Sequence, residues 1–163
     1  ARIVLNPATL DRLDPAGRRL VVQHELTHIA SRAVTDDQMP TWLIEGLADY
    51  VGNLGSGRSV SATAAELAAE VRRGVLPTAL PSAADFAGGN PRLPQVYEEA
   101  WLACKLIASR IGQHGLVIFY RTVAAATRQD PAGALADVLN RLLHTSVSNF
   151  TASWRSYLRS QLT

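Results

Sequence analysis

The sequence predicts a mainly α domain with one short strand near its N-terminus. Three observations carry that prediction. Apolar residues recur at helical spacing, Asp, Pro and Gly fall where helices start and stop, and only one short run has the β-branched character of a strand. That run is "RIVLN", which Pro7 ends.

The first helix is expected in "LDPAGRRLVVQHELTHIASRAVT". Asp14 is suited to cap its start, and Pro15 to fill the first helical position, where a missing N–H costs nothing. Val22, Leu26, Ile29 and Ala33 share a face and are read as its buried stripe, with His24 and His28 on a neighbouring face. "TDDQM" connects this helix to a second, opened by Pro40, over "TWLIEGLADYVGN", and the Gly-rich "LGSGRS" closes it. Residues 61–73 form an Ala/Glu/Arg helix. The stretch "LPTALPSAADFAGGNPRLP" is irregular and longer than most connectors, as functional or lid-like loops often are. Four helices follow over "QVYEEAWLACKLIASRI", "QHGLVIFYRTVAAAT", "PAGALADVLNRLL" and "SVSNFTASWRSYLRSQL". Gly112, Asp130 with Pro131, and the region of His144 divide them. No internal repeat is present, so residues 1–163 read as a single domain.

Composition narrows the function. Hydrophobic content of 47% with 18% charged residues suits a globular core and argues against disorder. Net charge is only +2, and the arginines are scattered without a dense basic tract, so nucleic acid is an unexpected partner. No apolar run is long enough to cross a bilayer, so no membrane contact is expected of this segment itself. Because the chain opens on Ala1, it is read as an excised domain. An extracytoplasmic or membrane-anchored setting would then come from parts outside this chain. Cys104 is the sole cysteine, which rules out a thiolate cluster and fits a small core residue.

"VVQHELTHIA" carries the chemistry. On a helix, His24 and His28 project from one face, so both imidazoles can meet one metal ion. A catalytic zinc takes three protein ligands and keeps a position for water. Glu25 is rotated by about 100° from His24, where its carboxylate can reach that water without ligating. Two surface histidines would be the plain alternative, yet this pattern arises by chance only about once in a few hundred chains of this length. With 16 residues between it and His28 comes Glu45, a third ligand, and four positions later Asp49. Asp49 would accept a hydrogen bond from the far nitrogen of a ligating imidazole. Apolar neighbours (Trp42, Leu43, Leu47, Val51) make an unpaired carboxylate costly in this helix. His114 and His144, near helix ends, are read as residues that cap carbonyls.

"HELTH" followed by "PTWLIEGLADY" resembles the gluzincin branch of zinc metallopeptidases, which includes thermolysin and the large zinc aminopeptidases. The likeness is nearest to the compact bacterial peptidase MA-like domains. The resemblance implies a compact helical zincin-like fold with one Zn²⁺ held by His24, His28 and Glu45, Glu25 as general base, and Asp49 orienting His24. "VYEEAWLACKLIASRIGQHGL" looks like the aminopeptidase segment whose tyrosine stabilises the oxyanion, which places that role on Tyr97. A phenol suits it, being neutral at pH 7 and able to donate. In the resembled family the short strand borders the cleft, so the backbone of Ile3, Val4 and Leu5 would pair with an extended substrate. The sequence departs from the family in three places. The spacing from His28 to Glu45 is shorter, Ala100 stands where the tyrosine motif has glycine, and no Gly-x-Met-Glu-Asn motif occurs.

The expected function is therefore zinc-dependent hydrolysis of a peptide bond in a peptide or protein substrate, internal or terminal. The alternative is a zinc-stabilised, non-catalytic peptide- or protein-binding module of a larger envelope protein. Glu25 argues against that alternative, since a structural site has no use for a base. Other divalent ions also suit such a donor set.

Overall fold

The computed structural model describes residues 11–163. They form seven α-helices with one 3-10 turn: α1 Pro15–Ser31, α2 Thr41–Gly52, α3 Val60–Thr63, α4 Ala65–Arg72, the turn Ala83–Phe86, α5 Leu93–Thr127, α6 Ala134–Leu143 and α7 Val147–Leu162. The mainly helical expectation is met. The expected strand, with Ile3, Val4 and Leu5, lies outside the described residues.

Local chemistry explains where the helices begin and break. Asp14 accepts the Gly17 amide at 2.6 Å, and Pro15 occupies the first turn of α1. Ser146 caps α7 through the Asn149 amide at 3.1 Å. Within α5, Gly112 leaves helical geometry at φ 78°, ψ 169°, so two helices meet there as its sequence position suggests. The helix expected over 61–73 is broken in two at Ala64 (φ −105°, ψ 57°). The Pro-rich stretch is not featureless. Ser82 donates from its amide and its hydroxyl to Asp85, both at 2.7 Å, which caps the 3-10 turn that ends at Phe86.

The first half of α5 is the axis of the core. Ala100, Leu102, Ala103, Cys104 and Ile107 are buried there, against Leu43 and Leu47 of α2, Leu67 of α4, and Phe150, Trp154 and Leu158 of α7. Trp42 stacks on Phe150 with centroids 6.4 Å apart. The α2–α5 crossing is very close at Gly46. A Cβ added there would collide with the Ala100 carbonyl and lie 2.9 Å from Cys104 Sγ. Glu45 precedes this contact, so helix packing sets its height above α5. Cys104 is fully buried, in keeping with a core role.

The α1 stripe is a correction. Val22, Leu26 and Ile29 are 36, 50 and 38% exposed, Ala33 is exposed, and α1 has no buried residue at all. The physical reason is geometric. His24 and His28 turn toward α2, and the apolar stripe lies about 150° further round the helix, so both faces cannot point inward. Polar contacts to α2 settled the rotation.

Candidate metal centre

Two helices build the centre. The i, i+4 spacing on α1 brings His24 and His28 together edge-to-face, with ring centroids 4.6 Å apart and planes at 79°. The same spacing on α2 sets Glu45 and Asp49 on the face opposite them. The Nε2 atoms of His24 and His28 approach to 3.0 Å, and each lies 3.4 Å from Glu45 Oε2. Those three residues are a group able to hold a metal ion, and no other such group occurs among the described residues.

The donor set passes a geometric test. Zn–N bonds of about 2.0–2.1 Å in a tetrahedral arrangement require ligand atoms about 3.3–3.4 Å apart. The observed edges of 3.0, 3.4 and 3.4 Å match that closely. Chemistry agrees, because two imidazole nitrogens and a carboxylate oxygen, each able to ligate once deprotonated, converge on one point. Asp49 Oδ1 lies 2.7 Å from His24 Nδ1. With one ring proton on Nδ1 donated to Asp49, loss of the other from Nε2 to an incoming ion would leave that nitrogen's lone pair directed at the Glu45 side. Asp49→Ala should therefore weaken metal affinity by roughly 10–100-fold, as read by competitive metal titration. Unchanged affinity would reduce Asp49 to a packing role.

Electrostatics point the same way. Burial alone would lower the His24 pKa, but the hydrogen bonds to Asp49 and Glu45 outweigh it and raise it to about 10. Burial favours a neutral Glu45, yet hydrogen bonds from His24 and His28 dominate and hold it at about 2. Asp49 is moved up by burial, against the pull of His24. These directions describe a pocket that attracts positive charge.

The remaining expected site residues lie around this group. Glu25 is half-buried and makes no hydrogen bond or ion pair among the described residues, which leaves its carboxylate free. Tyr97 sits in the second turn of α5, with its ring centroid 6.4 Å from that of His24. Burial, then the negative charges of Glu45, Asp49 and Glu25, push its phenol up to about 12, so it stays a donor. Its hydroxyl has no hydrogen-bond partner among the described residues. His114 is exposed, while His144 ends α6 in the left-handed region at φ 50°.

Sequence reasoning missed two supports. Gly46 fixes the α2–α5 approach, and Phe86 packs edge-on against Tyr97 at 5.2 Å with the rings at 87°. The Ser82–Asp85 pattern could have signalled an ordered turn inside the Pro-rich stretch. A groove of about 650 Å³ opens on another flank of α1 between Leu26, Ala30, Val34, Leu47 and Val117. It does not include the triad. No family model, curated protein or solved structure matches the chain.

Proposed function

We propose that this chain is a metal-dependent peptide hydrolase of the gluzincin type, with zinc as the preferred ion. The supporting observation is the carboxylate of Glu25, unpartnered among the described residues and one residue along the helix from a three-atom ligand set that tetrahedral zinc fits. A bound divalent ion supplies Lewis acidity, which makes a water nucleophilic at neutral pH and polarises the scissile carbonyl.

The chain's own residues do the rest. Glu25 accepts the proton of the attacking water and delivers it to the leaving nitrogen. Tyr97 donates its hydroxyl proton in a hydrogen bond to the carbonyl oxygen as that oxygen gains charge. Asp49 holds the His24 ring in one tautomer and one orientation. Glu45, held ionised by hydrogen bonds from His24 and His28, supplies the negative charge of the pocket.

The test is cleavage of a peptide library by the purified domain, with metal content measured in parallel. Hydrolysis should stop on chelation and return when zinc is added back. A zinc-loaded domain that cleaves no member of the library would overturn the hydrolase reading in favour of a metal-stabilised binding module.

A further inference from the structure

Tyr97 poses an orientation problem. Tyr97 is half-buried; a buried phenol is usually aimed by a hydrogen bond from its own hydroxyl, and Tyr97 makes none among the described residues. What the Tyr97 ring touches must aim it instead. One neighbour is the His24 imidazole, at 6.4 Å between centroids with the planes at 52°. The other is Phe86, at 5.2 Å and 87°, an edge-to-face pair.

Phe86 is itself held firmly. It closes the 3-10 turn capped by Ser82 and Asp85. The Asn90 side-chain amide donates to the Asp85 carbonyl at 2.6 Å, and the Arg92 amide donates to Asn90 Oδ1 at 2.9 Å. The Arg92 guanidinium then forks onto Glu70 of α4 at 2.7 and 3.2 Å and reaches Glu99 of α5 at 2.9 Å. Planar, two-pronged pairing of this kind constrains direction as well as distance. The Pro-rich segment is thereby tied to two helices, and Phe86 is its point of contact with Tyr97.

We propose that Phe86 is a positioning residue for the reaction. Its ring, packed edge-to-face with that of Tyr97, holds the phenol toward the His24, His28 and Glu45 group, and the Asp85–Asn90–Arg92 chain is its brace. Phe86 touches no reacting atom in this assignment and acts only through Tyr97. The inference rests on the hydrolase reading for its kinetic consequence but not for its geometry.

Two measurements test it. In zinc-loaded protein, Phe86→Ala should lower kcat about tenfold, the loss expected of a donor misplaced rather than removed. KM and zinc content should change little, and Phe86→Tyr, which keeps the ring edge, should restore most of the rate. In a Tyr97→Phe background the same Phe86→Ala change should cost less than about twofold, since two changes acting through one group do not add. An equal loss in both backgrounds, or no loss in either, overturns the proposal. The second measurement uses metal-free protein with ¹³C-labelled tyrosine. Phe86→Ala should shift the Tyr97 ring signals and weaken the Overhauser contact between Tyr97 and His24. Unmoved signals overturn the proposal even if no peptide is ever cleaved. Failure of the wild type to hydrolyse, with these signals moving as expected, would instead reject only the hydrolase reading.

Discussion

Glu25→Gln should leave zinc content at the wild-type level and lower turnover by about 10²–10⁴. Glutamine keeps the shape of the side chain but cannot take a proton from water. Glu25 makes no hydrogen bond or ion pair among the described residues, so the exchange orphans no partner and should cost little stability. This separates chemistry from folding more cleanly than a ligand change would. His28→Ala, by contrast, removes an atom of the triad and confounds metal loss with rate loss. Elemental analysis beside steady-state peptide cleavage gives the answer, and wild-type turnover in the Gln variant would end the mechanism.

Tyr97→Phe is the next largest effect. Loss of one donor to a developing oxyanion lowers kcat by about 10²–10³. On the proposed mechanism the interaction would form mainly in the transition state, so KM should move little, and the phenol would not ligate the ion, so metal content should hold. Phenylalanine preserves both ring contacts, to Phe86 and to His24. Structural damage is therefore not expected to imitate a kinetic one. If kcat is unaffected, Tyr97 is a packing residue of the α5 start and no more.

Much of this arrangement could be read from residue spacing because helices have a fixed period. His24 and His28, and likewise Glu45 and Asp49, are four apart, and that interval alone places each pair on one face. The Asp14–Pro15 start of α1 and the break at Gly112 were equally legible, since both depend on backbone chemistry at the position itself. The rotation of α1 was not. Periodicity identifies an apolar stripe but cannot say whether that stripe or the imidazole face turns inward, and here Asp49 and Glu45 settle the question from another helix. Gly46 and Phe86 were hidden for a related reason. Each matters because of a partner far along the chain, Ala100 in one case and Tyr97 in the other. The division at Ala64 also went unseen, because alanine gives no sign of breaking a helix.

The outward turn of α1 has a thermodynamic consequence. A helix with no buried residue lacks the buried apolar anchorage of the other long helices; beside the approach of Leu20 to Gly52, it meets α2 through the polar contacts of His24 and His28. An ion bound by His24, His28 and Glu45 would act as a removable cross-link between α1 and α2. Ion binding and local folding of α1 are then one equilibrium, and each tenfold rise of free ion above its dissociation constant would add about 1.4 kcal/mol to that cross-link. Scarcity of the ion would loosen first the helix that carries both imidazoles and Glu25, so loss of metal and loss of local order would arrive together and reverse together.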